Sequence, residues 1–255
     1  MADAGAALAV AQRDVTKFLQ DRPRIIASFI FPFMIVVILG NSFKNVIEGI
    51  DFLPFVLTGV FAQTVFQSSA LGLVSLLEDR DNDFSQELFV APVSRYAIIV
   101  GKISGEALVA LVQGLGILAV GYAIGARIPL ARLPLVVAMG VVCCLLGGAF
   151  GLFVLSTVKT RRFADQLFGF VFLPQFFLAG VFNPTDQVPG YLEFFSRIAP
   201  MRYAVEVVRS VAYGDADRER LVPDSFPLIV TVIVAMFVAF VAAGTALFVR
   251  NERNR

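Results

Sequence analysis

The chain has 255 residues, 58% of them hydrophobic and 16% charged, with a mean hydropathy of +0.80. Soluble domains hold about 45–50% apolar and about 25% charged residues, so this composition excludes an ordinary soluble domain and points to a membrane protein, its length counting spans. A net charge of +1 argues against a nucleic-acid binder, and a chain with no histidine and two adjacent cysteines, Cys143 and Cys144, offers neither a zinc site nor a disulfide framework.

Residues 1–22 read as an amphipathic helix lying in the membrane interface. Leu8, Ala11, Val15, Phe18 and Leu19 recur at helical spacing, and Arg13, Asp14, Lys17 and Asp21 fall mostly on other faces. A solvated lead-in with chance periodicity is the plainer alternative. Arg22-Pro23-Arg24 ends it, and residues 25–43 form span one, with Pro32 inside. Proline is tolerated in a span because neighbours satisfy the freed carbonyl. The charged lead-in and the length of this run favour an uncleaved span over a signal peptide.

A polar loop with Lys44, Asn45, Glu48 and Asp51 leads to span two, residues 52–77. That span carries Gln63, Thr64, Gln67, Ser68, Ser69 and Ser75, with Gln63 and Gln67 four apart on one face. Polar side chains at such depth point into a bundle or a cavity, so they either bond between helices or line a path.

Residues 78–95 are a dense polar stretch between two apolar runs. Asp83 and Gln86 stand at capping-box spacing, and Pro92 limits the helix they start, which leaves about two turns over 84–90. So short a helix is not stable alone and needs its flanking spans or a partner. Phe84, Leu88 and Phe89 offer an apolar knob, and Glu78, Asp79, Asp81 and Asp83 offer acidic partners for a basic surface. An ordinary charged loop explains the same residues.

Span three covers 96–126, with the small-xxx-small pairs Gly101/Gly105 and Gly121/Gly125 that allow close helix approach. Arg127, Pro129 and Arg132 mark a turn. Span four covers 133–158, with Gly147, Gly148 and Gly151, and Lys159, Arg161 and Arg162 close it. Span five, 163–182, is rich in phenylalanine around Pro174-Gln175. An amphipathic outer segment, 183–226, follows, punctuated by Asn183-Pro184 and Pro189-Gly190. It holds helices at 191–198 and 201–213, both too short to span. Met201, Ala204, Val205, Val208 and Ala212 make an apolar stripe on the second, with Arg202, Glu206 and Arg209 off it. These helices cap the outer mouth of a pathway or brace the interface. Span six is 226–249.

Six spans place both termini on one side. With the termini in the cytoplasm, the inner segments hold Arg13, Lys17, Arg22, Arg24, Arg80, Arg95, Lys102, Lys159, Arg161, Arg162, Arg250, Arg253 and Arg255, against Lys44, Arg127 and Arg132 in the short outer loops. The positive-inside rule therefore favours cytoplasmic termini, which also puts 78–95 in the cytoplasm.

The order of these features resembles the ABC-2 type permeases, the membrane subunits of ATP-binding-cassette exporters, and among them the daunorubicin-resistance branch. The resemblance rests on Glu87-Leu88-Phe89-Val90-Ala91-Pro92-Val93-Ser94-Arg95 followed by Gly101-Lys102, on Asn183-Pro184, and on the run from Pro200-Met201-Arg202-Tyr203-Ala204 to Val205-Glu206-Val207-Val208-Arg209. Polysaccharide and lipid exporters share the pattern. Where the family often has Gly-Thr before the Glu-Leu region, this chain has Asp83-Phe84-Ser85. The resemblance implies one all-α membrane domain over 1–255, with six transmembrane helices, an N-terminal amphipathic helix, a cytoplasmic coupling helix and outer helices that re-enter or lie on the bilayer. It further implies a plasma-membrane dimer with the path at its interface, driven by separate nucleotide-binding ATPase subunits that hold ATP and magnesium.

Under that resemblance Asp83, Phe84, Glu87, Leu88, Phe89, Pro92 and Arg95 couple to the ATPase. Gln63, Gln67, Phe172, Gln175 and Phe176 line the path, and Asn183, Pro184, Pro200, Arg202, Tyr203, Glu206 and Arg209 form the outer gate. An amphipathic or lipid-like cargo would suit the span-five phenylalanines, although packing explains them equally well. A P-loop needs G-x-x-x-x-G-K-[ST], but Tyr96 stands at the first glycine position and Ile103 follows Gly101-Lys102, so the chain is not expected to hydrolyse ATP or bind a cofactor itself. An ion-driven carrier places ionisable relays within its spans, and the middle of these spans holds almost none. An intramembrane enzyme would need carboxylates at depth.

Overall fold

The computed structural model describes residues 2–42, 51–74, 95–158, 160–183 and 190–253. Within them the chain is helical and has no strand. The helices are α1 (Ala2–Gln20), α2 (Arg22–Ser42), α3 (Phe52–Gly72), α4 (Arg95–Ala123), α5 (Leu133–Ser156), α6 (Arg161–Leu178), α7 (Gly190–Ile198), α8 (Pro200–Ala212), α9 (Asp215–Leu221) and α10 (Phe226–Arg253). A 3₁₀ turn, Leu130–Arg132, leads into α5.

Among the described residues, three segments are long and apolar enough to cross a membrane: Gly101–Ala123, Leu130–Ser156 and Phe226–Leu247. Ile25–Ile38 is a shorter apolar helix. Pro23 falls in the first turn of α2, where its missing N–H has no intrahelical partner to lose, so the chain turns only at Asp21. Pro32 sits inside α2, which continues through it.

The bundle is built around α3. Apolar residues are spread round its circumference, as in a helix enclosed by neighbours, and Phe55, Phe61 and Phe66 are fully buried. Helices α2, α4, α5 and α8 pack against it. The closest approach is to α5. A Cβ on Gly151 would stand 2.5 Å from the carbonyl oxygen of Ala70, and one on Gly147 would strike the carbonyl oxygen of Phe66. Ser69 Oγ donates to the Cys144 carbonyl at 2.7 Å across the same seam. The small-xxx-small pair that brings backbones together is therefore Gly147/Gly151. The expected Gly121/Gly125 pair works differently: Gly121 makes room for Leu57, while Gly125 is left-handed at φ 97° just past the end of α4.

Phenylalanines fill the space beside the seam. Phe66 lies 5.8 Å from Phe150 and 6.2 Å from Phe172, and Phe168 stacks on Phe172 at 5.5 Å. The outer faces of α6 and α10 are open, with Phe170, Leu173, Phe177, Val234 and Val238 exposed.

The N-terminal helix does not present the stripe read from its sequence. Leu8 and Leu19 are 70% and 54% exposed, whereas Ala11, Asp14 and Phe18 are buried. The buried side is the i, i+3, i+7 row that packs on α4, and Asp14 belongs to it because Lys102 of α4 meets its carboxylate at 2.8 Å. A further difference is α9, a short polar helix in the outer segment. Gly214 precedes it, and Asp215 and Asp217 in its first turn favour its positive end.

Replacing Gly151 with leucine should destabilise the chain by about 1–3 kcal/mol through overpacking, with a thermal midpoint in detergent lower by several degrees. Gly169→Leu, at a position with nothing within 4 Å, should stay within about 0.5 kcal/mol of wild type. Fluorescence-detected size exclusion after heating checks both.

Candidate functional site

Two of the polar regions among the described residues hold most of the predicted path and gate residues. The first is a pocket of about 290 Å³ between α2, α3 and α4. Gln63, Thr64, Gln67 and Ser68 come to it from α3, Ser28, Phe31 and Pro32 from α2, and Gln113 from α4. The four-residue spacing on α3 puts both glutamines on one side, where Gln63 Nε2 donates to Gln67 Oε1 at 3.1 Å. That bond uses one donor and one acceptor, and leaves each amide further capacity toward a ligand. The lining bears no charged side chain, so it suits a neutral hydrogen-bonding surface against an apolar wall.

The structure separates the sequence-predicted path residues. Gln63 and Gln67 line the pocket, and Phe176 stands near it, 6.2 Å from Phe31 and 4.8 Å from Phe182. Phe172 is buried among Phe66, Phe150 and Phe168 and belongs to the packing of the bundle. Gln175 is buried as well, and its Oε1 accepts from the Met201 backbone N–H at 3.4 Å. It satisfies one of the free donors at the start of α8, so it joins α6 to the outer element.

The second polar region is α8. Its apolar stripe is buried, and Arg202, Glu206 and Arg209, which lie off that stripe, are buried as well. The reason is that α8 packs on α3, α5 and α10 together, which encloses its whole circumference. Burying those charges requires partners, and each charge has them. Arg202 Nε donates to Glu206 Oε1 at 2.9 Å, its Nη1 to Ser196 Oγ at 3.1 Å, and its Nη2 to Asp224 Oδ2 at 3.5 Å. Ser196 Oγ in turn donates to the Leu178 carbonyl at 2.8 Å, and Tyr203 donates to the Arg197 carbonyl at 2.8 Å.

Arg209 serves the backbone. Its guanidinium donates to the carbonyls of Gly180 at 2.6 Å, Val181 at 3.0 Å and Phe55 at 3.4 Å, and it lies 3.7 Å over the Phe55 ring. Two of those carbonyls follow the end of α6, where the left-handed Gly180 (φ 74°) turns the chain. Burial pulls the Arg209 guanidinium down to about 10, which Tyr213 and then Glu206 oppose, so it remains cationic at neutral pH. Pro200 opens α8, and its lack of an N–H costs nothing there. Asn183 is an exposed residue in the bend after α6.

Of the predicted coupling residues, Asp83, Phe84, Glu87, Leu88, Phe89 and Pro92 lie outside the described residues, as does Pro184 of the predicted gate. Arg95 is the first residue of α4. The sequence reading missed Asp224 as a partner of Arg202, and it missed Glu106, a buried carboxylate on α4 that qualifies the expectation of spans almost free of ionisable groups. The i, i+4 spacings of Arg202/Glu206 and Lys102/Glu106 were a usable signal for paired charges.

Arg209→Met should lower stability by about 1–3 kcal/mol by stranding buried carbonyls, and Arg209→Lys should not restore it, because an ammonium cannot span the three acceptors as the planar fork does. Removing Glu206 alone should cost about 3–5 kcal/mol by leaving Arg202 buried beside a lost partner. Unfolding midpoints of the purified variants decide both.

The family model for the ABC-2 type transporter matches residues 6–213. The chain is 27% identical over 186 residues to the Escherichia coli (strain K12) protein named "Probable multidrug ABC transporter permease YbhR", covering 71% of this chain and 50% of that one. It thus spans half the length of that relative. It is 23% identical over 215 residues to the "Probable doxorubicin resistance ABC transporter permease protein DrrC" of Mycobacterium tuberculosis, covering 79% and 75% of the two chains. Against nodulation protein J of Rhizobium meliloti it is 24% identical over 173 residues, 66% of this chain and 64% of that one. With most of its length matched, the chain belongs to the ABC-2 type transporter family.

Proposed function

We propose that the chain is the permease subunit of an ATP-binding-cassette exporter, driven by separate ATPase subunits that hold the ATP and magnesium. The observation that carries this reading is the family match over 6–213, which takes in the N-terminal helix, the 78–95 stretch and α8 in one alignment. Under it, six helices cross the plasma membrane: α2, α3, α4, α5, α6 and α10. At about 1.5 Å per residue, α2 and α3 are about 31 Å long and α6 about 27 Å, close to the ~30 Å of a bilayer core. Both termini face the cytoplasm, in keeping with the distribution of arginine and lysine. Asp83, Phe84, Glu87, Leu88, Phe89, Pro92 and Arg95 meet the ATPase, and the buried α8 with Arg202, Tyr203, Glu206 and Arg209 closes the outer end. Two permease subunits, identical or different, enclose the path between them.

The cargo is an amphipathic small molecule. The neutral amide and hydroxyl lining beside Phe31 and Leu71 supports this, and two relatives bear multidrug and doxorubicin-resistance names. The same amides and hydroxyls favour a second reading, a hydroxyl-rich glycan or glycolipid.

The test is partner-dependent, vanadate-sensitive transport into inside-out vesicles, with doxorubicin as the first probe and a short lipid-linked glycan as the second. Phe84→Ala/Leu88→Ala should lower transport per ATP hydrolysed by tenfold or more in complexes that still assemble. Normal transport by that variant would refute the coupling assignment. A chain that transports neither probe and binds no ATPase subunit would refute the permease reading.

A further inference from the structure

Four charged side chains meet where α1 crosses α4. Asp14 of α1 is 6% exposed, and Lys102 and Glu106 of α4 are 2% and 3% exposed. Lys102 Nζ lies 2.8 Å from Asp14 Oδ2 and 3.4 Å from Glu106 Oε1. The other oxygen of Asp14, Oδ1, accepts from Arg13 Nη2 at 3.0 Å. Among the described residues each carboxylate of this cluster lies beside a cation, as burial of charge in an apolar bundle requires.

The backbone is shaped for this contact. A Cβ on Gly105 would stand 2.9 Å from Ala11 Cα and 3.3 Å from Asp14 Oδ2, so only glycine lets α1 lie this close to α4. The Glu106 carboxylate occupies the space a side chain on Gly72 would fill, so the last residue of α3 presses on the same cluster.

The location gives these contacts a role. Gly72 is three residues before residue 75 and Lys102 is seven after Arg95, so the cluster joins α1 to the described residues that flank the 75–94 stretch. On the α4 side, Arg95 lies about 11 Å of helix from Lys102, at 1.5 Å per residue.

We propose that Asp14, Lys102 and Glu106 are positioning residues for coupling: they make α1, α4 and the end of α3 move as a rigid unit when the stretch between α3 and α4 is displaced. The proposal rests on the permease reading. The cluster does not touch cargo or nucleotide. It delivers a displacement at 75–94 to two helices that line the polar pocket, instead of letting it dissipate at a helix end.

The experiment uses the full chain with its ATPase subunits and two readouts. Spin labels at Leu8→Cys and Leu108→Cys, both exposed positions, report the α1–α4 distance in a background of Cys143→Ala and Cys144→Ala. The cluster should hold that distance in one narrow distribution, unchanged on trapping with ATP and vanadate. Asp14→Asn/Lys102→Met, which leaves one buried negative charge fewer and one positive charge fewer, should broaden it and lower doxorubicin transported per ATP hydrolysed by tenfold or more. Lys102→Arg should retain the ratio. A wild-type distance that shifts with nucleotide, or a double variant with wild-type distance and wild-type ratio, overturns the proposal. If wild type moves no doxorubicin, the distance readout decides this inference alone, while the permease reading is judged on ATPase binding and the glycan probe.

Discussion

The contact on which the rest of the structure depends is the backbone approach of α3 and α5. Glycines at 147 and 151 remove two side chains just where the carbonyls of Phe66 and Ala70 pass. Apolar attraction cannot by itself hold helices together in lipid, because hydrocarbon tails are as apolar as leucine, so close van der Waals packing and a few interhelical hydrogen bonds must do it. The Ser69 to Cys144 hydrogen bond lies in that seam. With α3 drawn against α5, its remaining faces are closed by α2, α4 and α8. Phe61 then reaches positions beside Gly114 and Gly140, and Phe66 anchors the aromatic group around Phe150 and Phe172.

Because α3 is enclosed, it also connects the polar parts of the protein. Near its start the Phe55 carbonyl and ring meet Arg209. Its middle supplies Gln63, Thr64, Gln67 and Ser68 to the pocket. Its end, Gly72, abuts Glu106 beside Lys102 and Asp14. About 25 Å of helix thus joins the charge cluster of α8, the pocket and the residues that precede the 75–94 stretch. This one helix therefore carries polar contacts near both ends and in its middle. The contact near its start also explains why α8 carries so many charges inside the bundle: Arg209 supplies donors to carbonyls that the turn after α6 leaves without helical partners.

The helices themselves were legible from composition, apolar length and punctuation. The turn signals Arg22-Pro23, Arg127-Pro129 and Ala199-Pro200 all fall at or next to helix boundaries, because a missing N–H and a fixed φ act locally. Gln63 and Gln67 were readable as a pair because four residues is close to one turn. Local periodicity did not show which side of α8 would be buried. Its apolar stripe is real, but a helix packed on three neighbours has no water-facing side, so Arg202, Glu206 and Arg209 are buried although they lie off the stripe. The same limit applied to Asp14, which lies on the buried row of α1 only because Lys102 awaits it on α4. Gln175 reads as a polar residue in the middle of a span, and its role at the start of α8 depends on a residue 26 positions away.

By itself, then, the sequence determined the class of protein, the long apolar helices and their order, and the family to which they belong, because these follow from hydropathy, backbone chemistry and short motifs. The tertiary structure alone decided which glycines join helices, which phenylalanines are core, and how the charges of α1, α4 and α8 are paired. Those outcomes depend on the approach of segments far apart in the chain, and a charge can be buried only where the opposite charge or a free carbonyl meets it.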